Sequence, residues 1–215
     1  MTDTRIDLAT HLDGAALPQG LSELLALVAS ACVDIRKVVS GGALAGALGA
    51  SGSVNVQDEE QKKLDVISND ILTDTLLASP LVAGVASEEM DNCQPAPHAG
   101  GKFLVLFDPL DGSSNIDINA PVGTIFSVLA APEGDITDAS FLQDGRKQLA
   151  AGYVLYGGQT MLVLTLSQGV NGFTLDAEIA PATGARRWMR LIAAPVCEGG
   201  EVVRLQGLKF LVPAA

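Results

Sequence analysis

From Leu21 to Val39, the apolar residues Leu24, Leu25, Leu27, Val28, Ala31, Cys32, Ile35, Val38 and Val39 recur three and four positions apart. That period places them on one stripe of a helix, and Gly41 with Gly42 supplies its stop. A second stripe runs through Lys62–Ser79, where Leu64, Ile67, Ile71, Leu72, Leu76 and Leu77 face inward until Pro80 ends the helix. Beyond Pro80 the pattern changes to short apolar runs bounded by turn residues. Leu81–Asp91 reads as a buried strand ending in adjacent acids, Lys102–Phe107 as another, and Gly123–Pro132 as a third. Ala150–Leu166 reads as a hairpin turning at Gly157 and Gly158, followed by a strand over Val170–Asp176. Two helices followed by a run of strands predict an α+β fold, with layered helices packed on a mixed, largely antiparallel sheet.

Two segments interrupt this pattern. Between the helices, GGALAGALGASGSVNVQDEE is rich in glycine and small residues, which have little side-chain surface to bury. A mobile loop is expected there, of the kind that serves as a lid. After Asp176 the periodicity weakens, and a group of arginines appears with the only tryptophan, Trp188. A strand pair between EVVRL and LKFLV is the one regular feature expected of this tail.

The 215 residues carry a formal net charge of −12 with 18% charged residues, so the surface is acidic. Such a field repels nucleic acid and anionic membrane, and an acidic chain that handled phosphates would need cations. Cys32, Cys93 and Cys197 are odd in number and far apart, which suggests neither a disulfide framework nor a metal-binding pair and fits a reducing cytoplasm. The first residues lack a basic segment followed by an apolar one, and no apolar run approaches the roughly 20 residues of a membrane span. The expectation is a soluble cytoplasmic protein.

Acidic residues stand at three comparable places: Glu59, Glu60 and Asp65 at the loop-to-helix join, Glu88 and Glu89 at one strand end, and Asp108 and Asp111 at another, with Asp117 close behind. Each pair alone reads as ordinary solvated surface charge. Together at neighbouring strand ends they would offer the oxygen ligands that a hard cation such as Mg2+ prefers. The segment DPLDGSS is more particular. Pro109 stops the strand, Gly112 permits a backbone conformation closed to other residues, and Ser113 and Ser114 offer amide and hydroxyl donors. An EF-hand reading fails, because the third and fifth positions counted from Asp108 are Leu110 and Gly112 and the twelfth is Asn119. A P-loop reading fails for want of its Gly-Lys pair.

FDPLDGSSNID, KKLDVISND, VASEEMD and AAGYVLYG together resemble class 1 fructose-1,6-bisphosphatase, of the metal-dependent, lithium-sensitive sugar phosphatase superfamily. The likeness runs from about Leu21 to Asp176 and so covers the amino-terminal half. It implies residues 1–20 as an amino-terminal extension, 21–178 as a metal-binding phosphatase domain, and 179–215 as a divergent tail in place of the family's second half. The resemblance further implies Mg2+, or Mn2+, held by Glu88, Asp108, the Leu110 carbonyl and Asp111. Asp65, Glu89 and Glu59 would take catalytic roles, and Asp111, Gly112, Ser113 and Ser114 would contact the reacting phosphate. The glycine-rich stretch from Gly41 to Gln57 would be the family's dynamic loop.

The implied reaction is in-line attack of metal-activated water on the 1-phosphate of fructose 1,6-bisphosphate, giving fructose 6-phosphate and phosphate. The setting would be gluconeogenesis or a carbon-fixation cycle, in a homo-oligomer that is a tetramer in the family. Family members are longer, and their second half supplies 6-phosphate contacts, a further carboxylate ligand and an arginine from a neighbouring subunit. Two alternatives follow: a catalytically defective half that binds metal or associates with full-length subunits, and an inositol-monophosphatase-like phosphatase.

Overall fold

The computed structural model describes residues 6–41, 50–54, 60–118, 120–166, 168–175, 194–198 and 201–206, and of 50–54, 60–62, 117, 194–198 and 201–206 the backbone alone. Helix α1 (Leu8–Asp13) opens the described chain, its first turn capped by Asp7, whose Oδ1 accepts the Thr10 N–H at 2.8 Å. Helix α2 (Leu21–Gly41) follows, then a two-stranded antiparallel ribbon of β1 (Ala50–Val54) and β2 (Glu60–Lys62), then helix α3 (Lys63–Leu77). The strands of the main sheet are β3 (Val82–Ser87), β4 (Gln94–Pro95), β5 (Phe103–Asp111), β6 (Val122–Ala130), β7 (Ala150–Tyr156), β8 (Thr160–Thr165) and β9 (Val170–Leu175). A short helix α4 (Asp138–Phe141) lies between β6 and β7.

The sheet order is β4-β3-β5-β6-β7-β8-β9, with β3 and β5 parallel and every other neighbouring pair antiparallel. This is the mixed, largely antiparallel sheet of an α+β fold. Strand alternation gives each face its own set of side chains. On one face Val105, Phe107, Phe126, Val128, Val154, Leu162, Leu164 and Phe173 join the buried residues of α2 and α3 in a single core. Leu24, Leu25, Val28, Ala31, Cys32 and Ile35 are buried on α2, whereas Leu27, Val38 and Val39 are partly covered at its edges. Leu64, Leu72, Leu76 and Leu77 are buried on α3 with Ile67 and Ile71 at the margin, and Asp65, Ser68 and Thr73 are buried beside them.

Among the described residues, the opposite face is covered at one end. Leu104, Leu129 and Phe141 form a second small cluster there with Ile136 packed on it, α4 supplying the phenylalanine. Past that cluster Ile125, Tyr153, Leu155 and Val170 are each 40–50% exposed.

The glycine-rich segment contains the β1–β2 ribbon where a loop was expected; residues 42–49 and 55–59 lie outside the described residues. In the tail, Glu201–Gln206 pairs antiparallel with Ala194–Glu198; LKFLV, the strand expected opposite EVVRL, lies outside the described residues. The hairpin turn falls at Gly157 and Gly158 as its sequence suggests, with Tyr156 opposite Thr160.

Gly152 faces Phe126 across β6 and β7, and a Cβ on it would stand 2.5 Å from the Val163 carbonyl oxygen and 2.9 Å from the Phe126 ring. Neither the backbone nor the packed ring can yield cheaply. Gly152→Ala is expected to lower stability in a denaturant titration by about 1–3 kcal/mol. Gly158→Ala, where nothing lies within 4 Å, should stay within about 0.5 kcal/mol of the parent.

Candidate active site

Because β3 and β5 run parallel, with Ser87 opposite Phe107, their carboxyl ends lie side by side. The Glu88 N–H donates to the Phe107 carbonyl at 3.0 Å, extending that alignment into the acidic pair. The Ser87 hydroxyl then accepts the Glu89 N–H at 3.2 Å, and its carbonyl accepts the Met90 N–H at 3.2 Å, so the chain turns immediately after the strand. Helix α3 leads into β3 and packs on β3 and β5. A helix that returns antiparallel to its following strand sets its first turn beside that strand's carboxyl end, and Asp65 stands in this first turn, 2% exposed.

Asp108 is the centre of the resulting charge distribution. Burial first of all pushes its carboxyl up to about 6, the Leu110 N–H opposes this, and the charges of Asp111, Glu89 and Asp65 raise it further. The Leu110 N–H donates to Asp108 Oδ1 at 3.0 Å. Three separate elements thus bring four of the nominated acids, Asp65, Glu89, Asp108 and Asp111, into electrostatic reach of one another. Glu88 meets Asp108 differently: both line one cleft of about 620 Å3, whose wall continues over the apolar residues Leu106, Ile125, Tyr153 and Val163. That low-dielectric wall accounts for the desolvation of Asp108.

The turn that follows is built as its composition suggests. Gly112 adopts φ +77°, and a Cβ there would stand 3.2 Å from Asn115 Nδ2. Ser113 and Ser114 begin a 3-10 turn over Ser113–Ile118, the former half-buried and the latter exposed. Asn115 fastens the turn, its N–H donating to the Gly112 carbonyl at 2.8 Å and its Nδ2 to the Pro121 carbonyl at 3.4 Å. Leu110 buries its side chain to 3% exposure. Glu59 lies outside the described residues, and of Asp117 only the backbone is described. Asn115 and Thr124, whose hydroxyl donates to the Pro109 carbonyl at 2.8 Å, were not nominated from sequence. The available signal was weak, a small polar residue next to a turn and another inside an apolar strand.

The donor set suits a hard cation: carboxylate oxygens held at strand ends, with one carboxylate already resisting ionisation because it is buried and its neighbours share its sign. Among the described residues no three acidic, histidine or cysteine side chains converge closely enough to hold an ion as they stand. The residues therefore fit a cation in donor type and charge.

An α+β sheet protein with carboxylates gathered at parallel strand ends, followed by a glycine-serine turn, sets oxygen ligands beside amide and hydroxyl donors. The sequence profile described as "Fructose-1-6-bisphosphatase, N-terminal domain" matches residues 1–182. The chain belongs to the fructose-1,6-bisphosphatase family. It is 60% identical over 171 residues to a class 1 fructose-1,6-bisphosphatase of Neisseria gonorrhoeae, covering 80% of this chain and 52% of that one. A Shewanella amazonensis class 1 fructose-1,6-bisphosphatase is 59% identical over 169 residues, covering 79% and 52%. The chain thus spans about half the length of the curated relatives it matches.

Among solved structures, Leishmania major fructose-1,6-bisphosphatase in holo form superposes with TM-score 0.74 at 35% identity, over 80% of this chain and 56% of that one. A Toxoplasma gondii chain assigned as a sedoheptulose-1,7 bisphosphatase superposes with TM-score 0.70 at 28% identity, over the same shares.

The raised Asp108 group has a consequence for stability. A carboxyl whose folded value lies above its unfolded one favours folding most below its unfolded value of 3.8, and that contribution is lost as pH rises through about 6. Without divalent cations, Asp108→Asn should therefore melt a few degrees higher than the parent at pH 7.5, about 1 kcal/mol after allowance for solvent screening. The advantage should disappear at pH 4.5. Equal melting curves at pH 7.5 would show that Asp108 bears no such burden.

Proposed function

We propose that this chain carries the metal- and phosphate-binding part of a Mg2+-dependent fructose-1,6-bisphosphatase, acting in the cytoplasm on the 1-phosphate of fructose 1,6-bisphosphate. The observation that carries this reading is the convergence of Asp65, Glu89 and Asp111 on the half-buried Asp108, at the mouth of a glycine-serine turn, in a chain of this family. Glu88, Asp108, Asp111 and the Leu110 carbonyl would hold Mg2+ or Mn2+, which supplies charge neutralisation for the phosphoryl group and a water of lowered pKa.

The chain's own residues do the rest. The Gly112 conformation presents the Ser113 and Ser114 amides and hydroxyls, with Asp111, to a phosphate bound beside the cation. Glu89 and Asp65 receive and hold the proton released by the attacking water, Glu59 joining them from the preceding segment. The division into an extension over 1–20, a metal-binding domain over 21–178 and a tail over 179–215 belongs to the same proposal, as does assembly into a homo-oligomer.

The exposed apolar strip of Ile125, Tyr153, Leu155 and Val170 favours a second reading. In it the chain binds the cation without turnover and associates through this face with further subunits. Inositol monophosphates are the competing substrates.

The test is inorganic phosphate release by the 215-residue chain from fructose 1,6-bisphosphate and from inositol 1-phosphate, with Mg2+ or EDTA, alongside Mn2+ binding and sedimentation. The proposal expects Mg2+-dependent release from the fructose ester, lowered about 100-fold or more by Asp108→Ala or Glu88→Ala. Release indifferent to both substitutions would overturn it. Mn2+ binding without release, in an associated species, would establish the second reading instead.

A further inference from the structure

Behind the acidic turn, three buried polar groups form a chain that ends on its backbone. Thr124 of β6 is fully buried and its hydroxyl donates to the Pro109 carbonyl at 2.8 Å. Tyr156 of β7 is 4% exposed, and its phenolic oxygen lies 2.7 Å from the same Thr124 oxygen. A threonine hydroxyl carries one proton, and since Pro109 receives it, Tyr156 must be the donor in the second bond. The Cys32 thiol of α2, also fully buried, lies within hydrogen-bonding reach of both oxygens. Burial pushes that thiol up to about 11 and the phenol well above its usual value, so both keep their protons and stay donors. The two hydroxyls thus point one way, phenol to hydroxyl and hydroxyl to the Pro109 carbonyl, with the thiol packed against both. Chains of this kind polarise one another and strengthen the terminal bond.

The end point of the chain matters because the ladder breaks there. Asp108 stands opposite Ile125 and Asp111 opposite Gly123, so β5 takes three steps where β6 takes two. This extra residue is a β-bulge, a device that re-aims side chains. In an unbroken strand two residues three apart point to opposite faces. The bulge restores the phase between Asp108 and Asp111. Pro109 has no N–H with which the ladder could hold it. Its carbonyl is the remaining handle, and Thr124 holds it.

We propose that Thr124, backed by Tyr156 and Cys32, is a positioning residue that fixes the bulge at Pro109 and with it the separation of the Asp108 and Asp111 carboxylates. Its consequence for cation binding rests on the function proposed above; its consequence for the turn does not.

Thr124→Val, Thr124→Ser and Tyr156→Phe in the full chain separate these claims when read two ways, by native-state amide hydrogen exchange and by Mn2+ affinity. Valine keeps the shape and deletes the donor, whereas serine keeps the donor. Thr124→Val should speed exchange of the Leu110 and Asp111 amides and weaken Mn2+ binding, each by about tenfold, the scale of one lost buried hydrogen bond. Thr124→Ser should stay within about threefold of the parent in both, and amides of α3 and β8 should be unchanged in every variant. Exchange at Leu110 equal in the valine and serine variants would overturn the proposal, reducing Thr124 to a core filler.

If Thr124→Val does not fold, Tyr156→Phe decides: a measurable rise in Leu110 exchange supports the chain, and parent-like exchange contradicts it. A parent that binds no Mn2+ defeats the proposed function, while the exchange measurement still rules on Thr124.

Discussion

Like charges that cannot escape one another govern this structure. Parallel pairing of β3 with β5 aligns the ends from which Glu89 and Asp108 project, α3 brings Asp65 to the same end, and the bulge turns Asp111 to join them. Each carboxylate in water would be easily accommodated. Beside an apolar cleft, with α3 and the core behind it, Asp108 is pushed up to about 6 first by lost hydration and then by its neighbours' field. The fold stores this repulsion, and a cation is the species that relieves it.

The rest of the architecture keeps the ends of those strands in place. The helix-covered face buries α2 and α3 against six strands in one core, which makes the sheet a rigid base for the turn. A half-satisfied polar group in that core would be costly, yet Cys32, Tyr156 and Thr124 are buried together because each has a partner and the last reaches the backbone of the turn. The uncovered face has the opposite character. Tyr153 and Ile125 stand half-exposed in the wall of the cleft that Asp108 and Glu88 line, so whatever covers them also changes the dielectric around the acids.

The helices and most strands were legible because their apolar positions repeat with the periods of the elements themselves. The stripe from Leu24 to Ile35 and the run of Lys102–Phe107 needed no knowledge of partners. The turn at Asp108–Ser114 was legible for a different reason, since proline, glycine and paired acids in seven residues exclude most ordinary explanations. What sequence could not supply was register. Gly84 lies opposite Leu104 and Asp111 opposite Gly123 only once strands have chosen neighbours, and the bulge follows from that choice. Burial of Asp65 was likewise hidden, because an acid in a first helical turn reads as solvated. Thr124 and Tyr156 sit in apolar strands where either could be a filler, and the apolar residues of both faces of β6 and β7 gave no hint that Ile125 and Tyr153 would be half-exposed.

The central claim is that the carboxylates around Asp108 form one electrostatic unit suited to a divalent cation. The most direct measurement is a carbon-13 carboxyl titration of Asp108 with and without saturating Mg2+. The account predicts a midpoint near 6 in the metal-free chain, falling below the ordinary aspartate value of about 4 when Mg2+ is present. A midpoint unmoved by Mg2+ would contradict it.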